Sequence, residues 1–459
     1  MRAWLPLLIV LAGWGFVSAQ EPGGESTPES DVKELIDLLD DKNPVARYQA
    51  ARSLILMGPA AKEAVPKLVE KLAGDKDEPA RAAYAEALGI IGPVSKEVIP
   101  ALVKAFDDEG GYVRYSAALA ISRFGDKAKP AIPALIKKFQ ASEGNDREIL
   151  ASTFGKIGPA AADALPALEA ALDDKDPFQK IAVASAMLRI DPQSQKATPV
   201  LVSVLSDPDD KARADAADTL ADLGPIAKSA VPALAKALDD EKGLVRRNAM
   251  RALGSMKSAA TAALPRILKS LAEDEESLVR EFAAQALPLI APGNEEAAPV
   301  LVKALKDEES DVRVAAAKAL PHFANELAAQ LPQIIEALSD PEPEIATGLS
   351  IALAQIGPPA VEPLLEAAES KTRQIRQNSM QALGLLGYQS TEAAGEVVPQ
   401  LIKGLKDTDW QTRRSAARGL STMGSKAKSA LPALKTAMRD PNKFVRRAAA
   451  AAVLEIDVE

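Results

Sequence analysis

Apolar positions along this chain fall into two alternating helical stripes that return at a fixed interval. Between Gly224 and Met256, Ala230, Val231, Leu234 and Leu238 share one stripe. Val245, Ala249, Ala252, Leu253 and Met256 share a second. The pattern predicts two helices, the first running from Pro225 to near Leu238. Gly224 suits a helix C-terminus, where a positive φ is wanted, and Pro225 suits the first position of the helix that follows. Pro232 falls inside the first helix and is expected to bend it, because it lacks an N–H and crowds the preceding turn. Asp239-Asp240-Glu241 opens the turn between the two helices.

The same unit recurs along the chain. A proline followed by an apolar stripe stands at Pro66, Pro100, Pro133, Pro166, Pro199, Pro232, Pro265, Pro299, Pro332, Pro363, Pro399 and Pro432. Most steps are 33 residues; Pro66→Pro100 and Pro265→Pro299 are 34, Pro332→Pro363 is 31 and Pro363→Pro399 is 36. A period this long, carried end to end, means stacked helix pairs that bury their apolar faces against their neighbours. Proline in the first helix, Asp after its end, Val-Arg opening the second, then Ala-Ala-x-Ala-Leu and Gly-Pro resemble the HEAT repeat, especially the short form of the phycobilisome-lyase-type HEAT-like repeats. The resemblance covers about residues 28–459 and implies an all-α fold, an α-solenoid of about 13 helix pairs with an armadillo-like superhelical architecture.

The first residues read differently. Arg2 is followed by an uncharged apolar stretch from Trp4 to Val17, and Val17-Ser18-Ala19 places small residues where a signal peptidase cuts. Residues 1–19 are therefore expected to be a signal peptide and residues 20–27 a polar linker, with the solenoid over 28–459. The apolar run is short of the roughly 20 residues a membrane span needs. Export to the periplasm, the cell envelope or the medium is the corresponding expectation, and the absence of cysteine fits it.

Charge narrows the partners. The net charge is −9, which repels phosphate backbones, so nucleic acid is not expected. From Pro363 onward, however, 15 Lys and Arg outnumber 10 Asp and Glu, giving a basic C-terminal end around Arg413-Arg414, Arg418 and Arg446-Arg447. Trp410 sits at a turn there: beside arginines it would be a hot spot if exposed, and a capping side chain if buried.

One position per unit holds an arginine: Arg47, Arg81, Arg114, Arg147, Arg213, Arg246, Arg280, Arg313, Arg376, Arg413 and Arg446, with Lys180 and Ala346 filling two units. HEAT repeats are similar in having such a ladder, which implies a structural role. Each guanidinium is expected to meet carbonyls and inter-helix acids such as Asp107, Asp239, Asp307 or Asp407. A track for an anionic polymer is the competing reading. Acid runs at the turns, such as Asp107-Asp108-Glu109 and Glu273-Asp274-Glu275-Glu276, fit helix capping better than calcium, since none carries a D-x-[DN]-x-[DN]-G loop with its Glu.

Catalytic sets are scarce. His322 is the sole histidine, no Gly-x-Ser-x-Gly elbow accompanies it, and no glycine loop for phosphate occurs. Deoxyhypusine hydroxylase, a HEAT-type metalloenzyme, needs several His-Glu pairs; here His322 precedes Phe323. No catalytic, cofactor or metal residue is assigned, and the chain is expected not to be an enzyme. What remains is surface. The position after each ladder arginine and the one four residues later are expected to face an inner, concave side. That makes Tyr115, Arg247, Arg251, Arg414, Arg418 and Arg447, with Trp410, candidate contacts for a protein partner, or less readily a polysaccharide. An accessory role beside a chromophore lyase or other enzyme, and a passive envelope element, are the alternatives.

Overall fold

The computed structural model describes residues 28–457; the expected signal peptide and the whole of the expected linker lie outside the described residues. Among the described residues the fold is all-α, an α-solenoid of paired helices without a strand. It divides into two compact units, one ending at Lys127 and one beginning at Ala128.

In the first unit, second helices run Pro44–Met57, Glu78–Ile91 and Gly111–Ser122, and first helices include Val65–Gly74 and Val98–Lys104. Asn43 and Asp77 cap two of the second helices by accepting from Val45 and Ala80 N–H. The carboxylates and amides that crowd these turns therefore satisfy orphan donors at helix starts.

The second unit repeats the plan. Its second helices include Asp210–Leu223, Gly243–Ser255, Ser277–Ile290, Pro343–Ile356, Arg373–Gln389, Trp410–Met423 and Lys443–Ile456. The expected single first helix over Pro225–Leu238 is instead two pieces, a 3-10 stretch Gly224–Ala230 and an α-helix Val231–Ala237. Pro232 does not bend a helix. It lies in the first turn of the α-helix, where a missing N–H costs nothing, and the direction changes earlier, at Ala227 with φ −95° and ψ 24°. Gly224 does take a positive φ, 54°.

The uneven proline spacing has a local cause. After Gly357 the 3-10 stretch shrinks to Pro358–Ala360, which accounts for the short step. The long step follows from a 17-residue second helix, Arg373–Gln389, and an unbroken 14-residue first helix, Thr391–Gly404. Pro399 does sit inside that helix; the carbonyl it leaves unbonded belongs to exposed Gly395, where water can serve it.

Second helices pack directly on one another through small residues. A Cβ on Gly384 would lie 2.4 Å from the Gly419 Cα, so the helices Arg373–Gln389 and Trp410–Met423 are nearly in backbone contact. Aromatics fill the wider space between the layers, as where Phe139 meets Phe154 edge-on at 5.9 Å. No described helix is long and apolar enough to cross a membrane.

Candidate interaction surface

The ladder arginines leave from the first turn of the second helices and reach forward to the acid of the next repeat. Arg47 meets Asp75, Arg81 meets Asp108, Arg213 meets Asp240, Arg246 meets Asp274, Arg280 meets Asp307 and Arg413 meets Asp440, each through Nε and Nη2 at 2.6–3.0 Å. Arg313 donates Nε to Asp340 and Arg376 to Asp407, at 2.7 and 2.9 Å. The third nitrogen turns back to a carbonyl of its own turn, as Arg246 Nη1 does to Asp240 O at 2.9 Å. One aspartate thus joins two arginines: Asp240 takes Arg213 on its side chain and Arg246 on its carbonyl, while its Oδ1 accepts from Lys242 N–H. Burial raises the Asp240 carboxyl, but the Arg213 and Lys242 hydrogen bonds outweigh it and hold the group below the usual range.

The partner acids differ from two of those expected. Arg81 takes Asp108, not Asp107, and Arg213 takes Asp240, not Asp239. Asp239 pairs with Arg266 instead. The chosen residue is the one whose Oδ1 also accepts an N–H two residues on, so the turn itself orients it. Arg114 donates to the Asp108 and Glu109 carbonyls. Arg446 is exposed and, among the described residues, donates to the Asp440 and Pro441 carbonyls.

The ladder has a gap with two matching sides. Ala346 stands where an arginine would, and Ser370, six residues before Arg376, stands where its aspartate would. Ser370 Oγ keeps the turn, accepting from Thr372 N–H at 3.2 Å. Beside the gap lies a groove of about 620 Å³ over the helices Pro343–Ile356, Arg373–Gln389 and Trp410–Met423, walled by Ala346, Gln374, Gln377, Gln381, Arg414 and Arg418. No carboxylate lines it. Arg414 is half-buried, with its guanidinium 5.8 Å from the Phe444 ring centroid. Phe444 stacks in turn on Trp410, centroids 5.6 Å apart.

Matches to the HEAT-repeat family cover residues 32–122, 132–221, 198–288, 264–331 and 361–455. The chain belongs to the HEAT-repeat family. A phycobilisome-lyase HEAT-like repeat also matches residues 113–140. No curated protein matches the sequence. Among solved structures, this HEAT-repeat chain is similar to Kap121p, with a TM-score of 0.60, 19% identity, and coverage of 94% of this chain and 53% of that one. Kap121p bound to Pho4p gives 0.60, 18%, 94% and 53%, and Kap121p bound to Nup53p gives 0.59, 17%, 94% and 53%. The chain spans about half the length of these karyopherin chains, and at such identity the likeness is one of fold.

The candidate contacts of this HEAT-repeat protein separate into three settings. Tyr115 is exposed in the first unit, next to exposed Tyr112. Arg251 is already engaged, ion-paired with Asp218 and close to Asp222. Arg247 is half-buried and makes no ion pair among the described residues. Among the described residues Arg414, Arg418 and Arg447 also lack a carboxylate partner, and the helices that carry them hold one acid between them, Glu455 near the end of the last. Trp410 is half-buried against Phe444, so it is both a helix-start residue and part of the surface.

Several residues that build this face gave no signal on their own. Asn248 and Asn378, each two positions after a ladder arginine, donate to the carbonyls of Ala214 and Leu338 at 2.9 and 2.8 Å. Their shared register is the trace a sequence comparison between repeats would find. Tyr84 is fully buried and donates to Asp75 at 2.8 Å, bracing the first ladder acid from the core side. His322 is exposed, and among the described residues no three His, Asp or Glu side chains converge to hold a metal.

Proposed function

We propose that this chain is an exported, non-enzymatic scaffold that docks a protein partner on the second-helix face, with the basic C-terminal repeats making the main contact. The observation that carries the reading is the set Arg414, Arg418 and Arg447: three guanidiniums on neighbouring helices, without an ion pair among the described residues, flanked by the Trp410–Phe444 stack. The ladder arginines are neutralised inside the solenoid, so they offer little to a ligand. These three are free to do so, and Arg with aromatic rings is the composition of interface hot spots. Repeat stacking leaves one extended face of second helices open to a partner. The solved Kap121p structures with Pho4p and Nup53p show a solenoid of similar fold binding proteins. Export rests on the N-terminal sequence alone.

The test is a pulldown from envelope extract with the wild-type chain and with an R414E/R418E/R447E variant of unchanged melting temperature. One stoichiometric partner, lost in the variant, is expected. No partner with either chain would favour a passive envelope element, and a partner held equally by both would move the contact elsewhere.

A further inference from the structure

We propose that the groove beside the ladder gap is a recognition pocket for a carboxylate-bearing segment of the protein partner, with Arg414 and Arg418 holding the acid and Gln377 accepting from a peptide N–H. This rests on the docking reading above and names its ligand chemistry.

Three independent features converge on the groove. The first is the coordinated loss of the ladder pair. An arginine without its aspartate, or the reverse, would leave a charge stranded between helices; here both are absent, and the interface closes with Ala346 and Ser370. Ala346, on one side of the gap, lines a groove of about 620 Å³, within the size range of ligand sites.

The second feature is charge. Arg414 and Arg418 are four residues apart on one helix and therefore share a face. Like charges at that spacing repel, and no carboxylate on a neighbouring helix offsets them. Burial and the Arg418 charge both disfavour the charged form of the Arg414 guanidinium. A ligand acid between the two would relieve both effects and form charge-assisted hydrogen bonds.

The third feature is an orphaned acceptor. Gln377 Oε1 is buried and has no donor. Its neighbour Gln374 spends its amide on Asn378 Oδ1 at 3.3 Å, and Asn378 spends its own on Leu338 O. A buried oxygen without a donor bears its desolvation penalty uncompensated. Gln377 lines the groove, and a rotation of its side chain would present this oxygen to a donor carried by the ligand beside its anion. A peptide segment brings both, from its backbone N–H and an Asp or Glu side chain. Sulfate- or phosphate-rich polymers bring mainly acceptors, and the net charge of −9 opposes dense polyanions. Trp410 and Phe444 beside Arg414 supply apolar surface for the flanking residues of such a peptide.

The test uses the full chain and a short fluorescein-labelled poly-glutamate peptide, read by fluorescence anisotropy, with a poly-glutamine peptide of equal length and a sulfated polysaccharide as comparisons. Two variants close the pocket in different ways. R414Q/R418Q removes the charge. A346R/S370D rebuilds the missing ladder pair across the gap and should leave the melting temperature unchanged or higher. Binding of the glutamate peptide, with affinity falling at least about tenfold in both variants, is the expected result. Equal binding of poly-glutamine, binding indifferent to both variants, or preference for the polysaccharide would overturn the proposal. If the pulldown partner is lost on charge reversal while the glutamate peptide does not bind, the pocket assignment falls and the scaffold reading stands.

Discussion

Arg246 places Nε and Nη2 each 2.9 Å from the carboxylate of Asp274, one repeat further along the chain, and both side chains are under 10% exposed. A pair this buried is a poor source of net stability, since desolvation of two charges offsets most of their attraction. Its removal is another matter. Arg246→Ala strands Asp274 in the interior with only the Glu276 N–H, and it frees the Asp240 carbonyl. The expected loss is about 3 kcal/mol, the cost of breaking a buried pair from one side. Arg247→Ala, one residue on and without an ion pair, should stay within about 0.5 kcal/mol. Chemical denaturation of both variants checks the contrast; equal effects would mean that the ladder does not bind the repeats together.

The ladder also predicts a response to acid. Burial raises the Asp75 carboxyl, but Arg47, the Asp77 N–H and the Tyr84 hydroxyl bring it down to about 2. Burial likewise raises Asp108, Asp307 and Asp407, and their arginines and backbone donors hold them below the usual range. A carboxyl with a depressed native pKa contributes stability that is complete above its unfolded value, near 4, and that disappears as pH falls through the native value. Stability should thus be level from about pH 7 to 5 and fall steeply between about 4 and 2. Urea melts across that range measure it. Glu148, whose carboxyl is raised by burial and by the Asp176 charge, has the opposite sign and adds stability as pH falls, so a loss centred above pH 5 would mean that the ladder acids do not set the acid response.

Close helix contact gives a steric prediction. Gly384→Ala puts a methyl 2.4 Å from the Gly419 Cα and 2.8 Å from its carbonyl oxygen, both backbone atoms that cannot rotate aside. The helices must part, at about 1–3 kcal/mol. Gly395→Ala, on an open helix surface, should be neutral or slightly stabilising. Thermal melts of the two variants should differ in sign or nearly so.

The period was legible because each unit repeats the same physical problem: two apolar stripes, a cap and a turn. The ladder was legible as a column of arginines for the same reason. The identity of each acid was not. Asp107 and Asp108, or Asp239 and Asp240, are adjacent carboxylates in one turn, and only the turn geometry decides which faces back to the previous repeat. Pro232 misled in the same manner, because a proline reads identically inside a helix and one residue past the start of one. Arg251 looked like open surface on its own helix. Asp218, 33 residues earlier, occupies it, and such contacts between repeats are invisible until the stacking register is known.

Trp410 separates packing from recognition. Its ring stacks on Phe444 at 5.6 Å, and Phe444 in turn underlies Arg414. Trp410→Ala removes an aromatic pair worth about 1 kcal/mol and leaves Phe444 less well supported beneath Arg414. Trp410→Phe keeps a ring in place. If the stack serves the partner surface, Trp410→Ala should weaken partner retention well beyond its small effect on the melting temperature, and Trp410→Phe should largely preserve both. A melting temperature that drops in Trp410→Ala while retention stays at the wild-type level would reduce the residue to a packing role, and the basic surface would then rest on Arg414, Arg418 and Arg447 alone.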